Sequence, residues 1–96
     1  MSVYMIIEIS VRNREPYARY IEAVPSIITK HGGKYLSRGG TITPMFGDWN
    51  PERIILLEFP DMASLMRCFK SAEYRKIAPL RECSTDAKSI VVEGIL

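Results

Sequence analysis

Ten residues, His31 through Gly40, constrain this chain more than any others: His-Gly-Gly-Lys-Tyr-Leu-Ser-Arg-Gly-Gly. Before them, apolar residues recur at helical spacing; after them, the pattern is that of a strand. The stretch is therefore the fold's first joint. It also carries the chain's single histidine, beside a tyrosine and an arginine.

Upstream of the joint, Tyr17, Tyr20, Ile21, Val24, Ile27, Ile28 and His31 form one stripe at the 3.6-residue period. Asn13 is placed to cap this helix, with Glu15 and Pro16 in its first turn. Pro25 lies inside the stripe and predicts a kink or a split there. Gly32 is expected to end the helix in a left-handed conformation. Val3 to Val11 reads as the first strand. Lys34 to Arg38 begins the second, broken at Gly39-Gly40 and resumed through Thr41-Ile42-Thr43. Arg53 to Phe59 is the third and most hydrophobic strand, and Ser89 to Ile95 the fourth. Between these last two, Pro60-Asp61 opens a helix with Leu65, Met66 and Phe69 inside. Ser71 caps a shorter one carrying Tyr74, Ile77, Ala78 and Arg81, interrupted at Pro79. The order β-α-β-β-α-β is the ferredoxin-like α+β arrangement, with a four-stranded antiparallel sheet and helices on one face. It accounts for residues 1–96 as a single domain.

In such a domain standing alone, strands should alternate apolar and polar residues, because water wets the open face. Here they do not. Tyr4 and Ile6 oppose Met5 and Ile7, and Ile54 and Leu56 oppose Ile55 and Leu57. Both faces call for cover, and a second copy packed sheet to sheet about a two-fold axis is the simplest one. A homodimer is expected.

With that order in place, the chain resembles the dimeric α/β-barrel superfamily, and within it the family of domain of unknown function 1330 (DUF1330). The resemblance rests on Ala23-Val24-Pro25, His31-Gly32-Gly33-Lys34-Tyr35, Arg38-Gly39-Gly40 and Gly47-Asp48-Trp49. It continues through Leu57-Glu58-Phe59-Pro60-Asp61, Glu73-Tyr74 and Val92-Glu93-Gly94, covering nearly the whole chain. The family carries no established reaction. Its superfamily includes cofactor-free monooxygenases, muconolactone isomerase-like enzymes, haem-degrading enzymes and plain ligand-binding modules, so the resemblance implies a fold rather than an activity.

Five residues are candidates for a site. His31 ends its helix on the apolar face, where it serves either as a cap for the last carbonyls or as an acid/base in a pocket. Arg38 precedes a glycine pair and offers a fork to a carboxylate or phosphate, unless it pairs internally with Glu58. Tyr35 is placed to line the same pocket. Trp49, in the Asp48-Trp49 loop, either closes over a ligand or packs across the dimer. Glu58 and Glu8 are the carboxylates in the middle of apolar strands, on the first and third strands read as adjacent and parallel. Side by side they would push one pKa upward and act as an acid–base pair, unless Arg12, Arg38 or Arg53 neutralises them. Cys83 lacks a local basic partner and Cys68 falls in a helix; both are expected to be reduced thiols.

The absences point the same way. One histidine and two separated cysteines make no zinc or haem motif, and no phosphate-cradling glycine loop or Gly-x-Ser-x-Gly elbow occurs. No cofactor is expected. A net charge of +2 gives no case for nucleic acid, and no apolar run is long enough to span a membrane. Without a leader-like start the expected location is cytoplasmic. Two functional readings follow. One is a homodimer that binds a small anionic or polar organic molecule and carries out cofactor-free proton transfer of isomerase or monooxygenase type, with His31 as acid/base and Arg38 holding the anion. The other is a non-catalytic dimeric module for ligand sensing or assembly, with Arg38 paired to Glu58.

Overall fold

The β-branched and aliphatic runs pair along their whole lengths, and the register they adopt decides what faces what. The computed structural model describes residues 1–95. Its elements are β1 (Val3–Val11), α1 (Arg14–Lys30), β2 (Lys34–Arg38), β3 (Arg53–Phe59), α2 (Met62–Lys70), α3 (Ala72–Glu82) and β4 (Thr85–Glu93). The strands form one sheet in the order β2-β3-β1-β4. All three pairings are antiparallel, as the ferredoxin-like arrangement requires. The parallel reading of β1 against β3 is therefore corrected: Val3 faces Phe59 and Ile9 faces Arg53.

Odd-numbered residues of β1 and β3 point to the helices. Val3, Ile9, Ile55, Leu57 and Phe59 are buried there, against Tyr17, Tyr20, Val24, Ile27 and Ile28 of α1 and Leu65, Cys68 and Tyr74 of α2 and α3. Burial of each large aliphatic or aromatic side chain is worth about 1.5–3 kcal/mol, which makes this layer the main source of stability. It also explains Pro25. The helix runs unbroken through it, because Val24, Ile27 and Ile28 on either side are buried and hold the backbone in place. Pro79 is likewise carried inside a continuous α3.

Caps and glycines set the joints. The Asp61 carboxylate accepts from the Ser64 backbone N–H at 2.7 Å, and the Ser71 hydroxyl accepts from the Tyr74 N–H at 3.2 Å. Asn13 holds the cap position of α1 but makes no side-chain cap bond. At Gly33 an added Cβ would stand 2.7 Å from both Ile28 and Phe59 side chains, so only glycine lets the α1–β2 turn close onto the core.

The second and fourth strands differ from expectation in their bounds, and β4 ends at Glu93 rather than Ile95. β2 is not resumed at Thr41–Thr43; Gly39, at φ +72°, turns the chain out of the sheet. β4 begins at Thr85, four residues before Ser89, because Val11 pairs with Thr85 and β1 templates the full length. Thr85-Asp86-Ala87-Lys88-Ser89 is polar because β4 is an edge strand left largely uncovered, so its sequence carries no hydrophobic alternation.

Candidate ligand cavity

Between the helices and the covered face of the sheet lies a cavity of about 290 Å³, at the lower end of the size of small-molecule sites. Its floor is apolar, built from residues such as Met5, Leu57, Phe69, Val24 and Ile28. Its charged side chains are of one sign: Arg38, Arg53 and Arg81 line it and no carboxylate does, while Lys88 lies at the β4 edge with its ammonium turned to Glu8 on the other face. Four tyrosines, Tyr17, Tyr20, Tyr35 and Tyr74, complete the wall.

The arginines are not scattered. Because every strand pairing is antiparallel, the end of β2, the start of β3 and the start of β4 lie at one end of the sheet. Arg38 closes β2, Arg53 opens β3 and Arg81 sits in the last turn of α3 just before β4. The cavity is thus basic at that end and apolar beyond it. Exposure follows the same gradient, with Arg38 and Ala87 to Ser89 exposed while Leu57 and Ile28 are 2% and 1% exposed.

A bulge puts Arg38 there. Tyr35 pairs with Leu57, but Ser37 pairs with Leu56, leaving Leu36 as an extra residue. In a regular strand Tyr35 and Arg38 would point to opposite faces; with the bulge both point into the cavity. The Arg38 guanidinium stacks over the Tyr35 ring at 5.1 Å from its centroid. Burial raises the Tyr35 phenol above its ordinary pKa, with Arg38 pulling the other way. The other two arginines are held by phenols. Arg53 Nε donates to the Tyr17 hydroxyl at 2.9 Å, and Arg81 Nε donates to the Tyr74 hydroxyl at 3.3 Å. Gly39 serves this arrangement: a Cβ there would stand 2.0 Å from Arg53 Nη1, so the missing side chain gives the guanidinium its place.

Of the five sequence candidates, Arg38 and Tyr35 line the cavity; His31, Trp49 and Glu58 do not. His31 is the C-cap of α1, and its Nε2 lies 3.6 Å from Glu73 at the start of α3, where Lys30 also pairs with Glu73. An acid/base role in the cavity finds no support in that position. Glu58 pairs with Lys34 at 3.8 Å rather than with Arg38. Glu8 pairs with Lys88 at 3.7 Å and accepts from Trp49 Nε1 at 3.2 Å, on the sheet face away from the helices. The two carboxylates do not meet. Glu58 faces Tyr4, four residues along β1 from Glu8, a separation of about 13 Å at the rise of a strand. Cys68 is buried, which pushes its thiol up to about 11; Cys83 is exposed.

Arg53, Arg81, Tyr17, Tyr20 and Tyr74 also line the cavity, and none of them is among the five sequence candidates. Arg53 did leave a signal, as a charge at an inward position of the strand that continues Ile55, Leu57 and Phe59. The tyrosines left none, since an aromatic on a helical stripe reads as core.

The chain matches the family described as Domain of unknown function (DUF1330) over residues 2–95. It belongs to that family. Among solved structures it is similar to a protein of unknown function from Rhodopseudomonas palustris, at 18% identity and a TM-score of 0.83, covering 99% of this chain and 83% of that one. It is also similar to a cofactor-independent oxygenase from Streptomyces nogalater, at 6% identity and a TM-score of 0.67, covering 99% and 94%. A third is a dimeric protein of unknown function with a ferredoxin-like fold from Bacteroides fragilis, at 13% identity and a TM-score of 0.64, covering 97% and 96%. No curated protein matches the chain. At these identities the likenesses establish the ferredoxin-like fold of this DUF1330 protein and nothing of its chemistry.

Proposed function

We propose that this DUF1330 protein binds a small organic anion with an apolar, ring-sized body, and that it does so as a homodimer. One observation carries the ligand reading: three arginines gather at one end of an apolar, tyrosine-walled cavity that no carboxylate lines. Arg38 and Arg53 have no carboxylate partner among the described residues and Arg81 has Glu82 at 4.0 Å, so an acidic head group supplies counter-charge through paired N–H donors. The floor takes the ligand's body by area burial. A free cavity of this kind favours the binding reading over an assembly module whose Arg38 is committed to Glu58, since that pair is not made. Calorimetric titration with phenylacetate, and with phenylacetamide as its uncharged twin, tests it.

The dimer reading rests on the other face of the sheet. Leu36, Ile90 and Val92 are 46%, 63% and 47% exposed there, around the half-buried Tyr4, Ile6, Ile54 and Leu56. A contiguous apolar surface of this kind marks an interface. The dimeric Bacteroides fragilis protein has the same fold and adds support.

A further inference from the structure

Arg81, Tyr74 and Tyr20 form a run of hydrogen bonds along the cavity wall, and counting its protons leaves one over. Arg81 Nε donates to the Tyr74 oxygen at 3.3 Å. The Tyr74 and Tyr20 oxygens are 2.9 Å apart and share a second bond, which either can donate. A guanidinium accepts nothing, and each phenol has one O–H. The bond between the tyrosines therefore uses one of two phenolic protons. Among the described residues no other hydrogen bond reaches either oxygen. Whichever way the pair is oriented, one O–H on a cavity-lining ring has no protein acceptor.

Both rings are buried, Tyr20 at 8% and Tyr74 at 7% exposure, where an unpaired donor is costly. Burial, and then the neighbouring Tyr74, raise the Tyr20 phenol well above its ordinary pKa, so it stays protonated and able to donate. Its position says where on a ligand the acceptor must lie. Tyr20 is one helical turn beyond Tyr17, whose hydroxyl holds Arg53 at the basic end, and their rings stack with centroids 6.2 Å apart. The acceptor oxygen must therefore be close to the acidic head group.

We propose that the Tyr20–Tyr74 pair, anchored by Arg81, donates its spare proton to a carbonyl or enolate oxygen next to the ligand's carboxylate, so that the protein selects aromatic 2-oxo acids over the same acids without the oxo group. The proposal rests on the anion reading above and adds a substrate class to it. A site that offers a buried donor discriminates against an analogue that lacks the acceptor, because the donor is then left unpaired.

Phenylpyruvate and 3-phenylpropanoate, which differ at this one position, are the probes. In the wild type phenylpyruvate should bind about tenfold more tightly, the effect of one well-placed hydrogen bond. In the double variant Tyr20→Phe/Tyr74→Phe that ratio should fall to about one. A second reading needs no variant: phenylpyruvate labelled with carbon-13 at its carbonyl should show that resonance move downfield on binding to the wild type. Equal affinities in the wild type, a ratio undiminished in the double variant, or an unmoved carbonyl resonance would each overturn the proposal while leaving the anion site standing. Failure of both acids to bind would overturn the anion site and this proposal with it.

Discussion

At the scale of single residues, Arg38 is the side chain free to meet a ligand's head group. Its side chain is exposed, makes no ion pair among the described residues and leans on the Tyr35 ring. An exposed contact of that sort is worth about 0.5–1 kcal/mol, so Arg38→Ala should lower the midpoint of thermal unfolding by only a few degrees. Its effect on ligand binding should be far larger. A ligand at 100 times its dissociation constant stabilises by about 2.7 kcal/mol, and the upshift given by phenylacetate in the wild type should be mostly lost in Arg38→Ala. Melting curves with and without the acid read both effects at once. The sequence made Arg38 and Tyr35 visible because polar residues beside a glycine pair stand out. It could not show that they share a face. Plain alternation sets them apart, and the bulge that reunites them has no residue type of its own.

At the scale of elements, helices and central strands were legible because their apolar periods are strong, while the edges were not. β4 pairs over nine residues but alternates poorly, since an exposed edge strand need not be apolar. The antiparallel run of β1 against β3 follows from topology and hides from composition; it separates Glu8 from Glu58 and gathers the arginines. Two helix starts make a prediction about pH. The Ser64 backbone N–H holds the Asp61 carboxyl below its ordinary pKa, and the hydrogen bond from Lys30 does the same for Glu73 at the start of α3. A carboxyl with a lowered folded-state pKa stabilises fully above its unfolded value, and that contribution is lost as pH falls through the folded one. The melting temperature should therefore hold steady down to about pH 5 and decline below it. In Asp61→Asn/Glu73→Gln it should start lower at neutral pH and decline less steeply. A variant that follows the wild-type curve would contradict this account of the caps.

For the whole molecule, the fold and the uncovered face were both readable from the strands, because a sheet apolar on two sides has one stable solution, cover on each. The helices cover one side here. On the other, Ile6 pairs with both Leu56 and Ile90, so Ile90 sits beside the centre of the exposed patch. Light scattering after size exclusion should give the wild type twice the mass of one 10.9 kDa chain. Ile90→Lys, which would place a charge in the interface without touching the cavity, should give a single chain. What stayed hidden at this scale was not the pocket, which a sheet under helices implies, but most of its wall. Its walls come from seven elements, and the tyrosines and arginines that give it a sign are spread from residue 17 to residue 81.

That sign is the centre of the account, and a matched pair of ligands measures it directly. Phenylacetate and phenylacetamide share a ring and a size and differ in charge, so titrating each into the wild-type protein isolates what the three arginines do. The arrangement of Arg38, Arg53 and Arg81 predicts saturable binding of the acid and at least tenfold weaker binding of the amide, a gap that narrows as salt is added. Equal binding of the two, or binding of the amide alone, would contradict it.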